Sequence, residues 1–241
     1  IKQNCLITLS RISSKKKKKN FTKFIILSRS RSGSNLLVSF LESHPNIYIR
    51  GEIFHNLNNR DYRKVLNWFF DVMPSKFKAS GFKIFYYHPL DTKCPELWRE
   101  LTSNKDLKII HLHRENLIKT IISRQIALKT DVWSSEKKDR YSSYNFEIPP
   151  KKIENEIKRT LTWRNEFGKM FENHDILELS YEDFINAKSH KLFIIQDFLG
   201  VSQMKLKSHL KKQQKKPLSK IIKNYDEIER YFNGTNWKKY F

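Results

Sequence analysis

The stretch FIILSRSRSGSNLLVSFL, from Phe24 to Leu41, contains three patterns in a row. Its first apolar residues predict a short buried strand that ends at Ser28. A turn rich in serine and arginine follows, and Gly33 within it permits a tight bend and a close approach of the backbone to a ligand. Apolar residues then recur at helical spacing, which predicts a helix over Ser34–Ser43. The stretch is therefore a strand–turn–helix unit.

The turn of this unit has the donors of an anion site. The first turn of a helix directs free N–H groups with partial positive charge toward whatever precedes it. Side-chain donors and positive charge beside these amides suit a phosphate or a sulfate ester. The turn lacks the lysine of the Walker loop and two of the glycines of the dinucleotide-binding fingerprint, so neither motif describes it. The residues concerned are Arg29, Arg31, Ser32, Gly33, Ser34 and Asn35.

Strand-like and helix-like segments alternate along the rest of the chain. This order predicts parallel strands joined by crossover helices. We therefore expect a P-loop-like three-layer α/β fold, with a central, mainly parallel sheet flanked by helices. The further predicted strands are Ile47–Ile49, Gly81–Tyr87, Leu107–His113 and Asp175–Tyr181, and the further predicted helices are Asp61–Val72, Glu96–Thr102, Asn116–Leu128, Lys151–Glu172, a short one from Glu182, His190–Leu199 and one within Pro217–Phe232.

The composition predicts one globular domain over residues 21–241, because 39% of the 241 residues are hydrophobic. The first 20 residues, with five consecutive lysines at 15–19, predict a disordered basic arm. No run approaches the ~20 apolar residues of a membrane span. The two cysteines, Cys5 and Cys94, form no metal or disulfide pattern, which favours a cytoplasmic protein. The chain begins with Ile1 and not with methionine, so the removal of a leader segment is an open alternative.

The net charge of +22 attracts polyanions of many kinds, including nucleic acid, acidic lipid, charged polysaccharide and nucleotides. A chain rich in Lys, Asn and Ile also acquires such a charge from A/T-biased codon usage. The charge therefore does not identify the partner. No RNA-recognition motif or helix-turn-helix pattern is present, so no specific nucleic acid is expected.

A second cluster of donors follows the fourth predicted strand. Arg114 comes directly after Leu107–His113, and Ser123 lies nine residues further on, within the next predicted helix. Arg114 is suited to a phosphate, although a surface ion pair is the alternative. Because both clusters follow parallel strands, they suit one ligand with two separated phosphates.

Three motifs in this order resemble the sulfotransferases that use 3′-phosphoadenosine 5′-phosphosulfate (PAPS). They are RSGSNLL from Arg31, HLHRENLIKTIIS from His111 and LELSYEDF from Leu177. The resemblance continues through IQDFLGV from Ile195 and PLSKIIKNYDEIERYFNGTNW from Pro217, and it is strongest to the bacterial carbohydrate sulfotransferases. It covers the chain from about Phe24 to the end.

The resemblance implies roles for individual residues. The first loop, from Arg31 through Ser32, Gly33 and Ser34 to Asn35, would hold the 5′-phosphosulfate of PAPS. Arg114 and Ser123 would hold the 3′-phosphate. The spacing between these two is one residue longer than usual, and one residue rotates a helical side chain by about 100°. Thr120 is therefore an alternative to Ser123. Tyr181 would contact the adenine.

The acceptor side of the site is predicted at the end of the second strand. The resemblance makes Glu52, in RGEIFH, the candidate general base, with His55 as its rival. A salt bridge between Glu52 and Arg50 or another basic neighbour is the structural alternative. Lys83, within the third strand, could reach the sulfonate, but strand alternation favours its exposure to solvent.

Two further features are open to a functional interpretation. His111 and His113 share a strand face, but no third ligand is evident, so no metal is expected. Aromatic residues enrich the polar segment 131–150, which makes that segment a candidate acceptor lid. They are Trp133, Tyr141, Tyr144 and Phe146.

The sequence predicts a sulfotransferase that moves a sulfuryl group from PAPS to a hydroxyl of a carbohydrate, glycolipid or small molecule, leaving 3′-phosphoadenosine 5′-phosphate (PAP). Glu52, Arg31 and His55 are the expected catalytic residues. Homodimerisation is a further expectation from the resemblance. The alternatives are a P-loop kinase-like phosphotransferase and a non-catalytic polyanion-binding protein.

Overall fold

The computed structural model describes residues 21–71, 73–131, 147–210 and 217–241. The predicted N-terminal arm lies outside the described residues. The aromatic residues of the predicted acceptor lid, within 132–146, lie outside them as well. So does Val72, the predicted end of the second helix.

Five strands form one sheet in the order β2-β3-β1-β4-β5, and every described pair of neighbours is parallel. Parallel neighbours require crossover connections, and helices supply them. The predicted three-layer α/β fold class is therefore confirmed. The strands are β1 (Thr22–Ser28), β2 (Ile47–Arg50), β3 (Ala79–Phe85), β4 (Lys108–His113) and β5 (Ile176–Ser180).

The helices follow the predicted order, with boundaries shifted by a few residues. α4 begins one residue after the predicted start, because Asn116 caps it with a side chain that accepts a hydrogen bond from the Lys119 amide. The helices are α1 (Ser34–Leu41), α2 (Tyr62–Asp71), α3 (Pro95–Ser103), α4 (Leu117–Thr130), α5 (Pro150–Met170), α6 (Tyr181–Asn186), α7 (Lys188–Phe198) and α8 (Tyr225–Tyr231).

The last predicted helix, within Pro217–Phe232, is present and occupies the second half of that segment as α8. Within Pro217–Phe232 the chain forms a 3₁₀ turn at Leu218–Lys220 before α8 begins. Between them, the side-chain oxygen of Asn224 accepts a hydrogen bond from the Ile148 amide, and its nitrogen donates one to the Ile148 carbonyl. This tertiary pairing competes with a continuous helix at that point.

The central strand β1 is covered on both faces, as its unbroken apolar run predicts. Phe24 and Ile26 pack into one hydrophobic cluster with α1 and α7, while Ile25 and Leu27 pack into another with α2 and α3. A third cluster joins α4, α5 and the C-terminal segment. Among the described residues, no helix is long and apolar enough to cross a membrane.

Candidate active site

The candidate site lies beyond the carboxyl end of β1. In the sheet, β1 lies between β3 and β4. The strands that come next in the chain, β2 and β3, lie on one side of β1, and β4 and β5 lie on the other, so the strand order reverses at β1. In open parallel sheets this is where a crevice for a ligand forms. The segments that follow β2 and β3 border one side of the crevice, and those that follow β4 and β5 border the other.

The predicted anion loop joins β1 to α1. Gly33 has φ 93°, a left-handed conformation that glycine adopts without strain, and it caps α1. Its carbonyl accepts hydrogen bonds from the amides of Leu36 and Leu37, at 3.0 and 3.2 Å. Arg31 is also left-handed, with φ 68°, which is costly for a residue with a Cβ. The turn thus directs the first amides of α1 into the loop.

Serine hydroxyls line this loop. Among the described residues, the side-chain oxygens of Ser28, Ser30 and Ser32 are buried and have no hydrogen-bond partner. Buried polar groups without partners are costly, so they fit an anion with several oxygens. Ser28 and Ser30 were not predicted as site residues. Their signal in the sequence is a serine at every second position from 28 to 34.

Arg29 does not contribute free charge to the loop as predicted. Its guanidinium is buried against α5, where Nη2 lies 3.3 Å from Glu156 Oε2 and Nη1 donates to the hydroxyl of Thr160. Burial lowers the pKa of Arg29, and the neighbouring Glu156 carboxylate opposes that shift. Arg31 is therefore the arginine of this loop whose charge faces the second cluster.

The structure brings the two predicted donor clusters together. Arg31 Nε donates to Ser123 Oγ at 2.9 Å, and Arg114 Nη1 donates to the Arg31 carbonyl at 3.3 Å. The alternative residue, Thr120, is fully buried, and its hydroxyl donates to the Asn116 carbonyl within its own helix. Ser123, and not Thr120, thus lies beside the loop.

Tyr181 completes this side of the crevice. A Cβ added to Gly33 would lie 2.3 Å from Tyr181 Cδ2, so the ring rests directly on the glycine. The guanidinium of Arg114 lies 4.5 Å from the centre of the same ring, a cation–π contact. Arg114 Nε also lies 3.5 Å from Glu182 Oε1, so Arg114 does form an ion pair, the alternative role that the sequence suggests for it. The Tyr181 ring thus packs against the loop at Gly33 and against the guanidinium of Arg114.

The opposite side of the crevice contains Glu52, just after β2. Lys83 Nζ lies 2.9 Å from Glu52 Oε1 and also donates to the Asn35 side chain at the start of α1. Glu52 therefore has a basic partner, although not the neighbouring Arg50, whose Nε donates to the hydroxyl of Tyr48. Lys83 ties the candidate base to the anion loop.

The expected exposure of Lys83 to solvent is wrong, since the residue is only 3% exposed. Alternation in β3 predicts which face a side chain takes, but not whether that face is covered. All seven residues of β3 are buried, because helices pack on both sides of the sheet.

Two histidines approach the other oxygen of Glu52. His55 Nδ1 lies 3.0 Å from Oε2 and is about half exposed, whereas His88 Nε2 lies 3.5 Å from the same oxygen and is buried. Sequence reasoning missed His88, because it follows β3 by three residues and belongs to no periodic pattern. Sequence spacing alone therefore does not predict the contact between His88 and Glu52.

The protonation states of this group follow from its surroundings. Burial favours a higher pKa for Glu52, but the Lys83 ammonium and both histidines outweigh it and lower that pKa. Burial lowers the pKa of His88 to about 4, against the attraction of the Glu52 carboxylate. At neutral pH Glu52 is thus ionised and His88 is uncharged.

The ligand atoms of Glu52, His55 and His88 lie within 4.8 Å of one another, a spacing that a metal ion could use. The hydrogen bonding argues against that use. The Phe85 amide donates to His88 Nδ1 at 3.2 Å, so Nε2 carries the proton of the neutral ring. Lys83 already holds the other carboxylate oxygen. The Glu52 carboxylate therefore accepts hydrogen bonds from N–H donors, and this arrangement does not favour a metal cation.

His111 and His113 belong to a different network on the face of β4. Glu178 Oε1 lies 2.6 Å from His111 Nδ1, and Oε2 lies 3.4 Å from His113 Nδ1. The hydroxyl of Tyr86 lies 2.7 Å from His111 Nε2. Burial raises the pKa of Glu178, but the two histidines outweigh it and lower the pKa to about 2. Carboxylate and hydroxyl thus account for the contacts of this pair.

No family model matches the chain. Nodulation protein H of Rhizobium tropici is 24% identical over 230 residues, which are 90% of this chain and 92% of that protein. Nodulation protein H of Rhizobium meliloti is 22% identical over 233 residues, 90% of this chain and 94% of that protein.

The fold is also similar to that of a solved structure along almost the whole chain. The crystal structure of a sulfotransferase from Alicyclobacillus acidocaldarius matches with a TM-score of 0.56 and 17% identity, over 89% of this chain and 92% of that one. The chain therefore has the fold of a sulfotransferase, as the resemblance of its motifs predicts.

Proposed function

We propose that the protein is a sulfotransferase that moves a sulfuryl group from PAPS to an acceptor hydroxyl. The observation that carries the proposal is the convergence of two donor clusters on one crevice, with an ionised carboxylate on its opposite side. The similarity in fold supports the same reaction class. A P-loop kinase is less well supported, because the loop lacks the Walker lysine.

The residues present fit a nucleotide with two anionic ends. The hydroxyls of Ser32 and Ser34, with the α1 amides and Arg31, would hold the phosphosulfate, and Ser28 and Ser30 add buried hydroxyls without partners. PAPS supplies a sulfuryl group on a phosphate that leaves as a stable anion.

The other end of the nucleotide meets the second cluster. Arg114 and Ser123 would hold the 3′-phosphate, and Tyr181 would contact the adenine. Arg114 is already oriented by the Arg31 carbonyl and the ring of Tyr181, so little side-chain ordering remains to oppose binding.

Glu52 is the proposed general base. Lys83 occupies Oε1, so Oε2 is the oxygen that accepts the proton of the acceptor hydroxyl. His55, the rival base, contacts the same oxygen from the solvent side and can give way to an acceptor. Lys83 and Asn35 connect the base to the loop, which sets the distance between acceptor and sulfuryl group.

The acceptor class proposed is a hydroxyl of a carbohydrate, a glycolipid or a small molecule. Support for it comes from the resemblance to carbohydrate sulfotransferases and from the position of Glu52, which is partly buried but reaches solvent beside the half-exposed His55. The predicted homodimer and the predicted cytoplasmic location stay predictions.

Calorimetric titration tests the proposed function. The protein is titrated with adenosine 3′,5′-bisphosphate, ATP and a DNA duplex at two salt concentrations. We expect the bisphosphate to bind most tightly, without magnesium. Preference for the duplex, with affinity that falls steeply with salt, would instead indicate a nucleic-acid binder. Preference for ATP with magnesium would indicate a phosphotransferase. A screen of hydroxyl acceptors with labelled PAPS then identifies the substrate.

A further inference from the structure

His88 is a buried histidine in the loop after β3, and its ring lies between a backbone amide and the candidate base. The side chain is wholly inaccessible to solvent. Its ring packs 4.8 Å from that of Phe85 and 5.6 Å from that of Tyr87, and its carbonyl accepts a hydrogen bond from the indole of Trp98. The ring is therefore held in place from several sides.

The hydrogen bonds of this ring fix its tautomer. The Phe85 amide is a donor only, so His88 Nδ1 must present its lone pair, and the proton of the neutral ring is on Nε2. Among the described residues, no hydrogen-bond acceptor is within bonding geometry of Nε2. The carboxylate oxygen Glu52 Oε2 lies 3.5 Å from Nε2. A buried N–H gains free energy when it finds an acceptor, so this contact is expected to shorten when a substrate binds.

The two histidines beside Glu52 differ in their freedom to move. His55 is about half exposed and lies on the same loop as Glu52, so an acceptor can displace it. His88 is enclosed by protein and cannot leave without disturbing its neighbours. The charged and titratable groups that face Glu52 are Lys83 from β3, His55 from its own loop and His88 from the loop after β3, while Asn35 from α1 is neutral.

We propose that His88 is a positioning residue, an uncharged imidazole whose Nε2–H donates to Glu52 Oε2 and holds the carboxylate toward the acceptor. The inference rests on the proposed function, since it needs Glu52 as the base. Lys83 and His88 then hold one carboxylate oxygen each. The second lone pair of Oε2 stays available for the acceptor hydroxyl.

Nitrogen NMR of the wild-type protein tests the tautomer without any substrate. With ¹⁵N-labelled histidine, and with the His88 signals identified through their loss in His88→Gln, we expect a neutral ring with its proton on Nε2 at pH 7. A proton on Nδ1, or a charged ring at that pH, would overturn the proposal.

Carbon NMR tests the contact with Glu52. The Glu52 carboxyl carbon, identified through Glu52→Gln, is titrated in the wild type, in His88→Leu and in His88→Gln. We expect an upward shift of the Glu52 titration in His88→Leu, because the charged form loses a donor, and recovery toward wild type in His88→Gln, whose amide restores an N–H. His190→Leu, on an exposed residue of α7, is the control and should leave the titration unchanged.

The two hypotheses fail in different ways. Unchanged Glu52 titration in a folded His88→Leu protein removes the positioning role, even if bisphosphate binding is normal. Absence of bisphosphate binding in the wild type removes the proposed function, whatever the NMR experiments show. If both stand, the pH profile of transfer in His88→Leu should have its acidic limb at higher pH than the wild type, with unchanged bisphosphate affinity.

Discussion

Gly33 lies against the ring of Tyr181 in a left-handed conformation, so no other residue fits there without displacing the ring. We predict that Gly33→Ala destabilises the fold by about 1–3 kcal/mol, through backbone strain and the displaced ring. It should also weaken bisphosphate binding, because the anion loop and Tyr181 move apart. Thermal unfolding and calorimetry measure the two effects.

The matched control is Gly168→Ala in α5, where an added Cβ meets nothing within 4 Å. Alanine is a better helix former than glycine, so this variant should gain up to about 1 kcal/mol of stability. If the two variants had the same stability and the same affinity for the bisphosphate, the contact between Gly33 and Tyr181 would have no energetic importance.

Arg114 is predicted to contribute directly to nucleotide affinity. Arg114→Ala should weaken bisphosphate binding by about 1.5–3 kcal/mol, the range for a hydrogen bond to a charged group. Arg99→Ala is the control, because Arg99 is exposed and pairs with Glu96 within α3. Unchanged affinity in Arg114→Ala would remove this residue from the site.

Glu52 is predicted to matter for transfer and not for nucleotide binding. Glu52→Ala should bind the bisphosphate normally and slow sulfuryl transfer by roughly 10²–10⁴-fold, the usual contribution of a general base. Single-turnover transfer from labelled PAPS measures the rate. Normal turnover in this variant would return the role to His55 or to water.

At the residue scale, the sequence indicated the first loop, Arg114 and Glu52, because each follows a predicted strand. His88 could not be found in the same way, and the burial of Lys83, a residue that the sequence did indicate, could not be predicted. The burial of Lys83 depends on helices that cover both faces of β3, and His88 reaches Glu52 through the shape of a loop. Both are tertiary effects that periodicity does not contain.

At the scale of elements, α5 is connected to the anion loop through a buried ion pair between Arg29 and Glu156. Removal of one partner leaves a buried charge without compensation. We predict that Glu156→Ala lowers the free energy of unfolding by roughly 3 kcal/mol or more, as measured by urea denaturation.

Glu154 in the same helix is the control for that prediction. It pairs with Lys151 and Lys158, whose side chains are largely exposed, so Glu154→Ala should change stability little. A similar small effect in both variants would contradict the structural importance of the buried pair.

The elements themselves were largely predictable. Short apolar runs predicted all five strands, and helical periodicity predicted the order of the helices, because local pattern and tertiary fold agree there. The start of the last helix within Pro217–Phe232 was not predictable, because it follows the pairing of Asn224 with Ile148. That partner is 76 residues away, so no local pattern contains it.

At the scale of the whole molecule, stability should depend on pH through His88. Its pKa falls from 6.5 to about 4 on folding, so between these values the unfolded chain binds a proton that the native state does not. Stability therefore rises with pH across this window, by up to roughly 3 kcal/mol. Glu52, whose pKa is lowered, adds a loss of stability at still lower pH.

Urea denaturation between pH 4 and pH 7 measures this dependence. His88→Gln should flatten the curve above pH 4, because its side chain does not titrate, while His190→Gln should keep the wild-type slope. Parallel curves for all three proteins would exclude a proton-linked contribution from His88.

The strand order places β2 and β3 on one side of β1 and β4 and β5 on the other. On the proposed function, the chemistry is partitioned along the same line, with nucleotide recognition on the β4–β5 side and acceptor activation on the β2–β3 side. Mutations in the segments after β2 and β3 can therefore change which molecule is modified and leave the donor untouched. During evolution, proteins with this fold can therefore acquire new acceptors and still use the same sulfuryl donor.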